Sequence, residues 1–393
     1  METLPAAQPP DETTRCTLGQ LLLYFLNLGT LGFGGPIALC GYMQRDLVEK
    51  RKWLSKEDYT DGLALAQLAP GPLAAQLAMY IGWAHSGILG ATLVSFAFIM
   101  PSFLMVMAIS AFYLKYGGIS WMLGAFYGIG AAVIAVIVRS AYKLVRLTLE
   151  KDWLLWTIFL VNAGITGWKE TEIVWVFLAS GMLALFVKAF PTKPPAAGVA
   201  VLAIPPWLVE GLHGPVTGKT LWTITWFFTK AGAFIFGSGL AIVPFLYGGV
   251  VQQYGWLTER QFLDAVAVAM ITPGPVVITV AFVGYLTGGP AGGCMAALGT
   301  FLPCYLFVII PAPYFRKFAK NRHIKAFVDG VTAAATGAIG GAAYVLAKRA
   351  IVDWPTALIA VVTCAILFKV KKVPEPLIIL AAGIVGWLLR RGA

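Results

Sequence analysis

The sequence predicts an all-α integral membrane protein made of two homologous repeats in inverted topology, with broken or re-entrant helices near the bilayer midplane. Three observations predict it. The 393 residues are 59% hydrophobic and only 12% charged, against about 25% charged in soluble domains, and a soluble fold has nowhere to hide that much apolar surface. Two motifs and the loop between them recur at one constant spacing. Basic residues cluster in non-equivalent loops of the two copies, which puts equivalent loops on opposite sides of a membrane.

The chain opens on a polar, acidic, Pro-containing stretch, 1–17, with neither the basic start nor the apolar core of a secretory signal, and a short disordered tail is expected there. Apolar runs able to span or enter a bilayer follow at 18–43, 61–84, 88–114, 121–147, 153–168 and 172–190. A second series runs at 221–248, 264–289, 291–314, 324–349, 351–369 and 375–390. A weaker run, Ala196 to Leu208, is broken by Pro205-Pro206. Several runs are short or interrupted, so membrane-crossing counts of about ten to thirteen are all compatible with the pattern. The expected division is a tail (1–17), a first transmembrane repeat (18–195), a connector (196–217) and a second transmembrane repeat (218–393).

The repeat is read directly. Phe33-Gly34 matches Phe236-Gly237, Trp53-Leu54 matches Trp256-Leu257, Asp61 matches Asp264, and Pro70-Gly71-Pro72 matches Pro273-Gly274-Pro275, every pair 203 residues apart. Beyond the second motif the offset becomes 202, pairing Gly82 with Gly284, Gly128 with Gly330 and Tyr142 with Tyr344. The first loop of the first copy carries Arg45, Lys50, Arg51, Lys52 and Lys56, while its later loop near 115–120 has only Lys115. In the second copy the first loop (249–263) has only Arg260, and the later one has Arg316, Lys317, Lys320, Arg322 and Lys325. By the positive-inside rule this is an inverted repeat, common in secondary transporters. Two apolar runs separate each first loop from the later loop, so one of them must turn back, and the run holding Pro-Gly-Pro is the re-entrant candidate.

Four interruptions fall inside apolar runs: Gly32-Phe33-Gly34-Gly35-Pro36, Pro70-Gly71-Pro72, Phe236-Gly237-Ser238-Gly239 and Pro273-Gly274-Pro275. Proline removes a backbone donor and glycine removes side-chain restraint, so these points unwind a helix. Unwound backbone at membrane depth survives only inside protein or beside a cavity. Pro36, Pro72 and Pro275 suit the first position of a new half-helix. Such a terminus presents free N–H groups and partial positive charge, which suits an anion. Gly34, Gly35, Gly71, Gly237, Ser238, Gly239 and Gly274 are therefore the candidate binding backbone. The ordinary alternative is kinking or close helix packing.

Among side chains, Lys230 lies about ten residues into an apolar run, where a lysine costs roughly 2.5–3.5 kcal/mol. Its repeat equivalent is Asn27. Together they are expected to neutralise and hydrogen-bond a dianion, the alternative being a lysine that snorkels to the interface. Gln67 and Thr272 precede the two Pro-Gly-Pro breaks and are candidate donors. Asp61 and Asp264 occupy equivalent positions and are candidates for ion coupling, with helix capping as the ordinary reading. Trp53 and Trp256 suit interfacial anchors.

The five cysteines are scattered and the three histidines far apart, so no metal, haem, iron–sulfur cluster or other cofactor is expected. The net charge of +11 sits in short loops between apolar runs, which makes it a topology signal and no footprint of nucleic acid.

Phe33-Gly34-Gly35-Pro36, Trp53-Leu54, Gln67-Leu68-Ala69-Pro70-Gly71-Pro72 and their second-copy counterparts resemble the chromate ion transporter (CHR) family in its long, two-domain form. The likeness covers nearly the whole chain. It implies a non-enzymatic, multi-pass inner-membrane protein that exports chromate and confers chromate resistance. Recognition of sulfate, a dianion of similar shape, is implied as well. The expected partners are this oxyanion and the lipid bilayer, with a homodimer left open. The second copy departs from the first motif, having Ser238-Gly239 where the first has Gly35-Pro36, so the half-sites are not expected to be equivalent. An anion channel built on the same breaks and a chromate-reducing membrane enzyme are the competing readings. The lack of clustered Cys or His ligands and of a nucleotide motif weighs against the enzyme.

Overall fold

In a computed structural model of the chain, the structure describes residues 14–33, 35–116, 120–169, 174–189, 218–234, 242–315, 321–370 and 375–390. Gly34, the break at Gly237-Ser238-Gly239, the connector 196–217 and most of the N-terminal tail lie outside the described residues. Every regular element among the described residues is helical.

The first repeat runs α1 (Leu18–Leu31), α2 (Gly35–Met43, continued by a π-helical stretch Gln44–Lys50), α3 (Lys56–Leu68), α4 (Leu73–Tyr116), α5 (Ser120–Thr148), α6 (Trp153–Lys169) and α7 (Val174–Lys188). The second runs α8 (Gly218–Phe234), α9 (Ile242–Leu246, continued by π-helical Tyr247–Gln253), α10 (Glu259–Ile271), α11 (Thr279–Ile309), α12 (Arg322–Ala350), α13 (Trp354–Lys369) and α14 (Glu375–Arg390). Local chemistry repeats with the elements. Ser55 caps α3 and Thr258 caps α10, each with its hydroxyl accepting the N–H three residues on.

The breaks do more than interrupt helices, because they reverse the chain. The N–H of Thr14 donates to the Lys52 carbonyl at 2.8 Å, so the outer ends of α1 and α2 meet and the two form a hairpin whose tip is Gly32–Gly35. Gly35 has φ +74°, which favours glycine. Helix α3 and the first arm of α4 form a second hairpin around Pro70-Gly71-Pro72. A Cβ at Gly62 would lie 2.3 Å from Cδ1 of Tyr80, whereas eighteen residues of straight helix would separate them by about 27 Å. This is the predicted re-entrant segment. Near Ser86-Gly87, with Gly87 at φ 61° and ψ −148°, α4 turns again, and Gly82 and Gly90 touch backbone to backbone. Helix α11 repeats this at Gly288-Gly289, with Gly284 against Gly292.

The long arms, 88–116 of α4 and 290–309 of α11, lie antiparallel side by side. Thr92 Oγ1 meets the Tyr305 hydroxyl at 2.5 Å near one end, and Met107 packs on Gly293 near the other. Small residues let backbones approach: a Cβ on Gly29 would sit 2.3 Å from the Phe98 carbonyl oxygen, and one on its counterpart Gly232 would sit 2.2 Å from that of Thr300. The repeats then exchange helices. α6 and α7 pack on α12 of the other repeat, and α13 and α14 pack on α5. Gly337, Gly341 and Gly330 line the first seam, and Gly128 and Gly386 the second.

Among the described residues, four helical stretches are long and apolar enough to cross a membrane: the α4 region Leu73–Tyr116, Gly124–Arg146, Val276–Tyr314 and Arg322–Ala350. Large apolar side chains such as Leu89, Leu104, Trp168 and Val361 are exposed on the outside, a surface suited to lipid.

Candidate functional site at the converging helix tips

The hairpin tips meet inside the bundle. Gly274 donates its backbone N–H to the Gly32 carbonyl at 2.9 Å, joining a Pro-Gly-Pro tip of the second repeat to the Gly-rich tip of the first. Gly274 also rests on Ser102, midway along the long arm of α4. At the equivalent place Gly71 rests on Cys304 of α11, whose thiol lies 3.5 Å from the Gly232 carbonyl of α8. Gly71, with φ +144°, and Gly274, with φ +92°, both adopt backbone that side chains disfavour.

Two cavities adjoin these tips. Cavity 1, about 810 Å³, lies between the α1–α2 hairpin and α5 and is lined by Tyr24, Asn27, Arg51, Arg139 and Lys143 among others. Cavity 2, about 650 Å³, reaches the tips themselves, with Gly35, Gln67, Thr272 and Gly274 in its wall. Gly32, Phe33, Lys143 and Glu375 line both.

Of the residues singled out from sequence, Gly35, Gln67, Thr272 and Gly274 thus share cavity 2, and Asn27 opens into cavity 1. Gly71 is buried against Gln76 and Cys304, and Lys230 on α8 lines neither cavity. Thr272 differs from expectation as a donor: its hydroxyl already donates to the Val268 carbonyl at 2.6 Å, so it offers a cavity ligand its oxygen and no proton. Pro36 is the second residue of α2, while Pro72 and Pro275 stand just before the helices that follow them. Asp61 and Asp264 are not caps, since Ser55 and Thr258 hold those positions. Asp264 is 5% exposed and accepts a 2.7 Å hydrogen bond from the Tyr113 hydroxyl of α4. The residue equivalent to Tyr113 is Phe315, which has no hydroxyl to offer Asp61.

Sequence reasoning passed over the most informative charges. Arg139 and Lys143 stand one helical turn apart on α5, and Arg139 pairs with Glu375 of α14 at 2.9 Å. Two cations inside an apolar run were the available signal. The outer wall of cavity 2 carries Lys188 and Lys325 against Glu150, Asp152 and Asp329, with Lys188 bridging Asp152 at 2.5 Å and Asp329 at 3.9 Å. Lys143, which lines both cavities, makes no ion pair among the described residues. Backbone N–H groups at a helix start, one free cation and an amide side chain form a setting for an anion of small size. Among the described residues no group of His, Cys, Asp and Glu is arranged to hold a metal ion.

Comparison with known proteins identifies the family. A sequence profile of the family described as "Chromate transporter" matches residues 19–185 and again 222–387. The chain is 58% identical over 389 residues to the chromate transport protein of Cupriavidus metallidurans, covering 96% of this chain and 97% of that one. It is 56% identical to a probable chromate transport protein of Synechococcus elongatus, over 94% of this chain and 95% of that one. Identity to the chromate transport protein of Pseudomonas aeruginosa is 32%, over 98% and 95%. No protein of solved structure is detectably similar. With one copy of the family's domain in each half and apolar helices throughout, the chain is a multi-pass membrane protein that belongs to the chromate transporter family.

Proposed function

We propose that this protein exports chromate across the inner membrane by alternating access, that the dianion is held where the hairpin tips converge, and that sulfate competes for the same place. The observation that carries the reading is an inequality between equivalent hairpins. Helix α10 packs against α5 and α14, and the Tyr113–Asp264 bond joins it to α4. Among the described residues its counterpart α3 makes no comparable contact with α12 or α7, and cavity 2 occupies that gap. Two repeats alike in sequence and unlike in packing are what an alternating-access protein presents in one end state. In the other, α3 closes on α12 and α7 while α10 leaves α5 and α14.

Inverted topology is supported by the antiparallel long arms and by His323, at the start of α12, bonding the Ala189 carbonyl at the end of α7 at 2.9 Å. That contact joins the end of the first repeat to the start of α12, which carries Arg322 and Lys325. By the positive-inside rule the basic loops holding Arg51 and Lys52 and holding Arg322 and Lys325 are both cytoplasmic, and the open site is read as one that loads from inside. An uncompensated dianion would cost tens of kcal/mol to bury. Lys143, Gln67 and the backbone N–H at Gly35, the start of α2, offset that cost. From the sequence, Gly34, Gly71, Gly237, Ser238 and Gly239 remain candidate binding backbone, Lys230 and Asn27 candidate side chains, and Asp61 and Asp264 the candidates for ion coupling. An open channel is disfavoured because α10 seals one face.

The test is energised chromate uptake into everted membrane vesicles, with sulfate as competitor, for wild type, Lys143→Gln and Lys230→Ala. Uptake that sulfate blocks and Lys143→Gln abolishes in well-inserted protein is the expected result. No uptake by inserted wild type, with several energy sources tried, refutes chromate export.

A further inference from the structure

We propose that cavity 1 is a second oxyanion site, present in the first repeat alone, where a tetrahedral dianion docks on Tyr24, Asn27 and Arg51 before it reaches the tips. The inference rests on the transport reading and adds to it a place of capture.

The first argument is a hydroxyl without a partner. Tyr24 is only 8% exposed, lines the cavity, and its hydroxyl has no hydrogen-bond partner among the described residues. Burying a donor unpaired is unfavourable, and an anion's oxygen is the acceptor that would satisfy it. Arg51 is the second. Its guanidinium carbon lies 5.6 Å from the Tyr24 ring centre and 4.6 Å from that of Trp53, so two aromatic faces hold it in place. It has no carboxylate partner among the described residues. Asn27, one turn along α1 from Tyr24, adds an exposed amide in the same wall.

Charge is the third argument. Arg45, Arg51, Arg139 and Lys143 line the cavity against Asp46 and Glu375. Arg45 is paired with Asp46 at 3.0 Å and Arg139 with Glu375 at 2.9 Å. Arg51 and Lys143 remain, two positive charges for a ligand with two negative ones.

The fourth argument comes from the repeat. At the 203-residue offset, Tyr24 becomes Phe227, Tyr42 becomes Phe245, Arg45 becomes Gly248, Asp46 becomes Gly249 and Arg51 becomes Tyr254. Phe227 stacks on Phe245 at 5.4 Å and meets Tyr254 and Trp256 edge-on at 5.5 Å each. It also leans on Gly249, where a Cβ would lie 2.2 Å from its ring. An aromatic cluster therefore fills in the second repeat the space that the first leaves open and charged. In an inverted pair the two spaces face opposite sides, so capture operates from one side only and Lys143, common to both cavities, hands the anion on.

Purified wild type, Tyr24→Phe and Arg51→Gln, with Gln67→Ala as a tip variant, would be titrated with chromate and with sulfate by calorimetry and assayed for uptake in everted vesicles. Tyr24→Phe keeps the shape of the side chain and removes only the hydroxyl. Loss of one hydrogen bond to a charged ligand predicts binding about tenfold weaker or more, with a larger loss in Arg51→Gln. The KM for uptake is expected to rise by the same factor, with the maximal rate kept. Gln67→Ala is expected to lower the maximal rate instead. Wild-type affinity and KM in both cavity variants, while wild type transports chromate, overturn the capture site and leave transport standing. A fall in maximal rate at unchanged KM in the cavity variants overturns it too. Absence of chromate uptake in wild type removes the transport reading and this site with it.

Discussion

Replacing Gly274 by alanine tests whether the tips converge as described. The new Cβ would lie 2.8 Å from Ser102 Oγ, 2.9 Å from Ser102 Cβ and 3.3 Å from the Gly29 carbonyl oxygen. The first two are below any normal contact, and Ser102 is fully buried, so neither side has room to yield. The residue also has φ +92°, a conformation that costs a side-chain-bearing residue about 1–3 kcal/mol. Overpacking adds about 1–3 kcal/mol. The expected penalty is about 2–6 kcal/mol, and displacement of the tip breaks the Gly274–Gly32 hydrogen bond that ties the repeats together. Ser102→Gly removes both offending atoms, at about 1 kcal/mol for a glycine in a helix. The double variant should recover the packing part of the loss and keep the strain part, a coupling of about 1–3 kcal/mol. Thermal unfolding of the detergent-purified proteins and chromate uptake in everted vesicles read the two consequences. A coupling within about 0.5 kcal/mol of zero, with wild-type uptake in Gly274→Ala, would refute the seating of this tip on α4 and the site built upon it.

Tyr113→Phe removes the donor at 2.7 Å from buried Asp264, which should weaken the closed face by about 1.5–3 kcal/mol, or roughly 10- to 150-fold in the conformational equilibrium. A cysteine placed at the fully buried Ala265 should then react faster with an impermeant maleimide, and an unchanged rate would show that the bond does not hold α10 shut. Arg139→Gln and Glu375→Gln should each lower thermal stability by leaving a partly buried charge without its partner, by about 1–3 kcal/mol; the double variant should lie closer to wild type than either. Asp152 lies in the turn before α6, where burial raises its pKa but the Lys188 ammonium and the N–H groups of Leu155 and Leu154 outweigh it and hold it below the ordinary 3.8. A lowered folded value means stability that is fully present above pH 3.8 and lost as pH falls below it. Unfolding temperatures recorded down through that range should show this acid loss in wild type and a smaller one in Asp152→Asn.

Much of the architecture was legible because membrane burial and duplication leave strong marks in sequence. Apolar runs, the 203-residue offset and loop charges need no tertiary information, and a Pro-Gly-Pro inside an apolar run must be buried or beside a cavity. Reversal of the chain at Gly32–Gly35 was not legible, since glycine permits a turn and a kink alike and only the meeting of Thr14 with Lys52 distinguishes them. Lys230 drew attention as a charge at depth, yet which face of its helix meets a cavity depends on the neighbours.

By itself, then, the sequence determined the membrane setting, the two repeats, the positions of the breaks and the family to which the chain belongs. Tertiary structure alone decided which charges surround the breaks. Arg139 and Glu375 lie 236 residues apart and pair only because the repeats exchange helices. It likewise decided that one copy of a duplicated pocket is open and cationic while the other is filled by Phe227 and its neighbours. The physical reason is that periodicity and spacing report which residues share a helix face, whereas charge neutralisation and cavity shape depend on side chains brought together across hundreds of residues.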